Sequence, residues 1–316
     1  MSQVLNQAVQ SVLTLFIIGL VGYIMARWYH LDQKVKEFVP DLVINVTFPF
    51  YLFYNATEIL TDKDLLPMAR EGLAGAVAMT LSFVLSLWVA KLLKVAPRRR
   101  GVFCTAFCFS NSMFIGLPLN MALFGDSALT HVLAYFLGNS VLFWSIGNCF
   151  ISLDGVNRPT PFISRLTIKK ILSPPFFGFA LGMGVILLNF KVPMFLTAAS
   201  KSIGEMTTPL AIFYIGVTLA DLRWKEVIFS WQLLAVLLGR FLICPLITLA
   251  IGLLFSMGPE GSRVFLIQSS LPVMASCSIL AGYYRVDIGF ASLAVSVSTV
   301  LGLITIPFFR LLTTLI

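Results

Sequence analysis

Apolar residues come in long runs along this chain, each closed by a short charged or turn-rich stretch. Crossing the hydrocarbon core of a bilayer takes about 20 predominantly apolar residues. The runs of that order are 4–26, 36–60, 67–91, 99–122, 127–153, 169–190, 197–221, 227–256, 262–283 and 287–314. The pattern predicts an all-α integral membrane protein with ten transmembrane helices, spans 1 to 10 in chain order. Two runs are interrupted by polar, proline-containing stretches, FSNSMFIGLP over 109–118 in span 4 and QSSLPVMAS over 268–276 in span 9. In hydrocarbon a freed backbone N–H or C=O costs several kcal/mol unless protein or a water-filled cavity satisfies it. A membrane helix therefore breaks only where its backbone has another use, and paired breaks in two halves point to a transporter's binding site.

A shift of 160 residues aligns span 2 with span 7, so that Thr47, Pro49, Phe53 and Tyr54 meet Thr207, Pro209, Phe213 and Tyr214. The same shift sets Asn45 against Glu205, Gly22 against Gly182, and Asn111-Ser112 against Leu271-Pro272. Five crossings per half is an odd number, which forces opposite orientations. The expected fold is a five-plus-five inverted repeat, residues 1–156 for spans 1–5 and 157–316 for spans 6–10.

Composition agrees: 58% of the 316 residues are hydrophobic, 11% are charged, and mean hydropathy is +0.93, which leaves no room for a soluble domain. A net charge of +8 would suggest nucleic acid in a soluble chain, but its distribution argues otherwise. Loops 1–2, 3–4, 5–6, 7–8 and 9–10 carry 15 of the 22 Lys and Arg, including Arg98-Arg99-Arg100, whereas the opposite loops carry 5. The positive-inside rule then places those odd loops in the cytoplasm and both termini outside. The basic excess sets topology, with attraction to anionic lipid as a side effect. The first charged residue is Arg27, so the basic start of a secretory signal is absent and the first run reads as a retained helix. Five cysteines lie in apolar runs without metal-ligand company, and Cys104 and Cys108 read as a packed pair. There is no Walker A loop, no nucleophile with a histidine base, and no paired aspartates. ATP-driven pumping and intramembrane enzyme chemistry are thereby disfavoured, and no cofactor or metal is implied. His30 and His131 occupy loop-like positions and are expected to be solvated.

The segment Ser110 to Gly125, SNSMFIGLPLNMALFG, resembles the span 4 pattern of the auxin efflux carrier family, with Asn, a small residue, Gly-x-Pro and Phe/Tyr-Gly. Leu271-Pro272 and the stretch Ala281 to Asp287 resemble that family's span 9 and following turn. Gly239-Arg240-Phe241 with Pro245 resembles span 8, and Pro174-Pro175 resembles the start of span 6. The family includes plant auxin exporters and bacterial malate and malonate carriers. The resemblance implies that spans 4 and 9 cross beside the substrate. It also implies a scaffold of spans 1, 2, 6 and 7, a transport domain of spans 3–5 and 8–10 moving as an elevator, and a homodimer. The function it implies is secondary active transport of small organic anions, mono- or dicarboxylates such as malate or malonate, with H+ or Na+ as coupling ion. The long cytoplasmic loop of many plant members is absent, which favours a carrier of the bacterial inner membrane. Leu52 stands where plant exporters use a polar residue, which argues against auxin itself. The alternatives are an auxin-like aromatic carboxylate exporter and a sodium-coupled bile-acid-type symporter. The latter family typically has an acidic residue in the span 9 crossover, where Gln268 to Pro272 has none.

Candidate substrate contacts follow from the breaks. Asn111 and Ser112 sit at the span 4 break, where the amide offers donor and acceptor and the next half-helix N-terminus favours an anion. A purely structural cap is the alternative. Gln268, Ser269, Ser270 and Ser276 are lining candidates in span 9, with close helix packing as the serines' other role. Pro118 and Pro272 set geometry by removing donors. Asn139, deep in span 5, serves either substrate or an interhelical hydrogen bond. Asn45, Thr47, Thr207 and Thr208 flank the prolines of spans 2 and 7, where hydroxyls also back-bond to their own helix. Arg240, inside span 8, binds substrate or braces the scaffold, and Glu205 carries a coupling proton or sits as an interfacial acid.

Overall fold

The structure, a computed structural model, describes residues 2–29, 31–61, 64–155, 159–220 and 230–315. His30 and the predicted start of span 8 at 227 lie outside the described residues. The described chain is helical, and strand-like pairing is confined to one antiparallel bridge, Ser110 to Val273. In order come α1 (Ser2–Trp28), α2 (Gln33–Leu42), α3 (Phe48–Glu58), α4 (Leu65–Leu92), α5 (Pro97–Cys108) and α6 (Ser112–Phe124). There follow α7 (Asp126–Leu153), α8 (Pro174–Leu187), α9 (Met194–Ala220) and α10 (Trp231–Leu254). The last are α11 (Pro259–Ser269), α12 (Ser276–Tyr284) and α13 (Ile288–Leu312), and a short helix, Arg165–Ile171, precedes α8.

Among the described residues, α4, α7, α9 and α10 are each long and apolar enough to cross a membrane alone, and α13 joins them if its two arms count as one span. The pattern of apolar runs predicts ten. Proline and polar residues cut several of the other runs, those of spans 2, 4 and 9 among them, into shorter helices. Three π-turns show how the chain accommodates such prolines. Val43–Thr47, Ser112–Gly116 and Gly239–Ile243 each end two residues before a proline, at Pro49, Pro118 and Pro245. A widened turn makes room for a ring that lacks N–H and would otherwise clash with the carbonyl of the preceding turn.

The chain divides into two compact units. The first comprises Met1–Pro67, Leu117–Thr130 and Ile171–Leu222. Here α1 packs along the second half of α9, and α8 packs along α3, through small residues that let backbones approach closely. A Cβ on Gly22 would lie 2.1 Å from the Phe213 carbonyl oxygen, and one on Gly182 would lie 2.6 Å from the Ala56 methyl and 3.2 Å from the Phe53 oxygen. Gly22 and Gly182 stand at the same offset in sequence as Phe53 and Phe213. Between α9 and the π-turn that leads into α3, the Thr207 hydroxyl donates to Thr47 Oγ1 at 3.0 Å across the same 160 positions.

The second unit comprises Met68–Gly116, His131–Lys170 and Arg223–Ile316. Its core is aromatic and closes around the two helix breaks. Phe109, at the first break, lies 6.0 Å from Phe83 and 5.8 Å edge-on from Phe143, and Tyr135 meets Phe265 edge-on at 5.2 Å.

Candidate functional site: the paired helix breaks

Within the second unit, α5 stops at Cys108 and Phe109 turns extended, with φ −96° and ψ 129°. The helix α11 stops at Ser269, and regular helix resumes only at Ser276. The two interruptions satisfy one another. The Asn111 N–H donates to the Pro272 carbonyl at 2.9 Å, and the Met274 N–H donates to the Phe109 carbonyl at 3.1 Å. Ser110 and Val273 face each other between these bonds. Backbone groups that left their helices have thus been paired away from water, as burial demands.

Side chains from three other helices hold the pair in place. Asn139 of α7, fully buried, donates from Nδ2 to the Ser110 carbonyl at 2.9 Å and to Ser112 Oγ at 3.0 Å, and its Oδ1 accepts from the Ser110 N–H at 3.3 Å. Ser298 of α13 accepts the Val273 N–H at 3.0 Å. Arg240 lies in the π-turn of α10 and has no solvent exposure. Its guanidinium donates to the carbonyls of Ser269 (2.6 Å), Leu271 (3.2 Å), Phe107 (3.4 Å) and Cys108. A planar fork with five donors suits this work, since it reaches carbonyls on both broken helices at once. Among the described residues no carboxylate pairs with Arg240, so its charge is offset by carbonyl dipoles alone.

Gln268 has a different position. It is fully buried, and neither its Nε2 nor its Oε1 has a hydrogen-bond partner. A Cβ on Gly116 would lie 2.2 Å from that Oε1, so the Gln268 amide packs directly on the backbone of the restarted helix and would have to shift for any larger residue there. A buried amide with all its capacity unmet is uncommon and points to a ligand or water that completes it.

The remaining sequence candidates divide between the units. Ser269 and Ser270 are buried, and their hydroxyls donate back to Leu266 and Ile267 at 3.0 and 2.9 Å. Asn111 is almost fully buried, and its Oδ1 caps the Phe114 N–H at 3.3 Å. Ser276 opens α12 and is half-buried. Asn111, Ser112, Asn139, Gln268, Ser269, Ser270, Ser276, Pro272 and Arg240 all belong to the second unit. Asn45, Thr47, Thr208, Glu205 and Pro118 belong to the first. Asn45 is exposed, Thr47 is buried against Thr207, and Thr208 is half-buried. Glu205 is 65% exposed and lies 3.9 Å from Lys201 one turn earlier. Pro118 sits inside α6, past the break rather than at it.

One expectation is overturned. His131, read as a solvated loop residue, has a side chain only 19% exposed and bonded through Nδ1 to Glu71 Oε2 at 2.6 Å. The solvated reading failed because this end of α7, which begins at Asp126 close to the predicted start at 127, packs against Glu71 and Gly261 and buries the imidazole. Glu71 carried a legible signal, being the sole acidic residue of span 3, and an ionisable residue inside a span is functional by default.

The family described as "Membrane transport protein" matches residues 7–310. An "Uncharacterized transporter" of Methanothermobacter thermautotrophicus is 24% identical over 312 residues, covering 94% of this chain and 96% of that protein. An "Uncharacterized transporter" of Methanocaldococcus jannaschii is 21% identical over 300 residues, covering 93% and 95%. A "Putative malonate transporter" of Rhizobium meliloti is 22% identical over 303 residues, covering 93% and 92%. With the family matched over nearly its whole length, the chain belongs to these membrane transport proteins, the auxin efflux carrier family that its span 4 motif resembles, and is a transporter rather than an enzyme.

Proposed function

We propose that this protein is a secondary active carrier of small mono- or dicarboxylates, with malonate the first substrate to test. The observation that carries the reading is the Gln268 amide, buried and unpartnered beside two helix breaks that satisfy each other's backbone. Arg240 supports an anionic substrate, since a buried guanidinium with no carboxylate partner among the described residues favours negative charge nearby. The name of the Rhizobium relative supports the choice of acid.

In this reading the chain crosses the inner membrane ten times as a five-plus-five inverted repeat, and spans 4 and 9 are the crossing pair. The contacts at the 160-residue offset support the repeat, because a twofold relation brings equivalent residues such as Thr47 and Thr207 together. The scaffold contains spans 1, 2, 6 and 7 and supplies a homodimer interface, while the other spans carry substrate as an elevator. The division into two compact units supports this assignment, with Leu117–Thr130 grouping with the scaffold spans. The test is a thermal-shift screen of organic anions on purified protein, followed by radiolabelled malonate counterflow in liposomes. Stabilisation by small carboxylates with saturable counterflow is expected. Stabilisation by cations or neutral amino acids alone sinks the reading.

A further inference from the structure

Glu71 and His131 bring a carboxylate and an imidazole together where α4, α7 and α11 meet, inside one compact unit. Their side chains are 10% and 19% exposed and share a 2.6 Å bond. The third wall is Gly261. A Cβ there would lie 2.8 Å from Glu71 Oε1 and 3.2 Å from His131 Nδ1, so α11 rests its backbone directly on the pair. One turn further along α4, Gly75 receives the Phe265 ring in the same way, at 3.0 Å. The α4 face that carries Glu71 is thus the face on which α11 packs.

The helix α11 joins this pair to the broken site. Gly261 and Gln268 are seven residues apart, which places them on one helix face about 10 Å apart. At that separation, charges in a low-dielectric interior still interact. A change of charge at Glu71 and His131 therefore reaches an anion held at Gln268.

A second cluster makes the comparison informative. Gly101 stands 160 residues before Gly261, and near it Arg99 bonds Asp287 through Nε and Nη2, both at 2.7 Å, and Gln232 through Nη1 at 2.6 Å. These residues join the starts of α5, α10 and α13. Under the 160-residue offset those helices correspond to α11, α4 and α7. Of the two equivalent clusters, one is tied by an arginine, whose guanidinium only donates, and the other by an imidazole, whose two ring nitrogens can each donate or accept.

We propose that Glu71 and His131 are the proton-binding site through which this carrier couples anion movement to a proton, an inference that rests on the carrier reading. In the empty state a neutral His131 donates its Nδ1–H to the Glu71 carboxylate, and the pair carries one negative charge. A proton from solvent then binds His131 Nε2, giving an imidazolium–carboxylate pair of zero net charge with the Nδ1 bond kept. Moving a neutral pair together with the anion is cheaper in the bilayer than adding the pair's own negative charge to that of the anion. By linkage, the bound anion and the proton favour one another. The other charged groups on the packed elements are placed as follows. Arg70 of α4 is exposed and donates to the carbonyls of Phe255 and Ser256, Glu260 of α11 is exposed, and Asp126 opens α7 in an exposed turn. Arg263 of α11 interacts with Arg310 of α13.

The experiment uses the full chain in liposomes carrying an internal pH dye, with malonate, malate and succinate as probes. Wild-type protein is expected to take up about one proton per carboxylate molecule, and an inward proton gradient is expected to accelerate uptake. Glu71→Gln and His131→Gln are each expected to abolish coupled proton uptake and the gradient's effect while retaining counterflow. Net carboxylate uptake in wild type without proton uptake overturns the inference whether or not the variants fold. Normal proton uptake in either variant overturns it as well. Absence of counterflow with all three acids in wild type strikes the carrier reading itself and takes the inference with it.

Discussion

At the scale of single residues, the broken site holds side chains with opposite tasks. Arg240 is structural in its contacts, since four carbonyls of two broken helices converge on it. Arg240→Met is expected to cost about 3–5 kcal/mol of stability, because those carbonyls lose a charged donor with nothing to replace it. A thermal melt that matches wild type would show that water already serves them. Gln268 predicts the reverse. Replacing its unpartnered amide with the similarly shaped Gln268→Met removes an unmet polar group, so the apo melting temperature should hold or rise while stabilisation by malonate disappears. Retained stabilisation would place the substrate elsewhere. Asn111 is separable by charge. Asn111→Asp keeps the oxygen that caps Phe114 but sets a negative charge against the anion, so the fold should persist while affinity falls at least about tenfold, or 1.4 kcal/mol. If Asn111→Asp binds malonate as wild type does, Asn111 is a cap and nothing more.

At the scale of elements, the sequence made the breaks legible because proline and clustered hydroxyls stand out in apolar text. FSNSMFIGLP and QSSLPVMAS both contain the segments that leave their helices. What it could not display was the pairing. Asn111 bonds Pro272 through backbone atoms, and backbone bonds have no side-chain signature. The partners of Asn139 and Arg240 stayed hidden for the same reason, since both grip carbonyls. The sites of close approach were half visible. Gly22 and Gly182 matched at the 160-residue offset, but that each lies against the other half's phenylalanine backbone required coordinates. That contact carries a prediction. Gly22→Leu and Gly182→Leu each drive a side chain into backbone or a packed methyl at under 3 Å, so each is expected to lower expression and melting temperature sharply. Gly184 has nothing within 4 Å of its Cβ, and Gly184→Leu is the control that should melt as wild type does. Equal loss in all three would mean that the close approaches at Gly22 and Gly182 do not decide the outcome, since leucine has the higher helix propensity at every one of them.

At the scale of the whole molecule, orientation rests on the distribution of lysine and arginine. The loops assigned to the cytoplasm hold three times as many of these residues as the opposite loops, 15 against 5, and short basic loops resist translocation. Loop 3–4, with Arg98-Arg99-Arg100, should therefore face the cytoplasm, and loop 6–7, with Lys191, should face outside. Chemistry makes this testable without first removing native thiols, because Cys104, Cys108, Cys149, Cys244 and Cys277 are all buried. Burial denies them to a charged maleimide, which reacts with exposed thiolate. Arg98 and Lys191 are both exposed, and neither side chain takes part in the clusters around the breaks. In intact cells, Lys191→Cys is expected to label with a membrane-impermeant maleimide, while Arg98→Cys should label only after permeabilisation. The reverse pattern would invert the topology and put both termini in the cytoplasm. It would also move the Glu71 and His131 pair, at the starts of α4 and α7, from the outer end of the helices to the inner end. The sign of the coupling would be unchanged, because proton and anion move together, so the labelling experiment fixes the orientation of the chain and the side from which the pair is first reached.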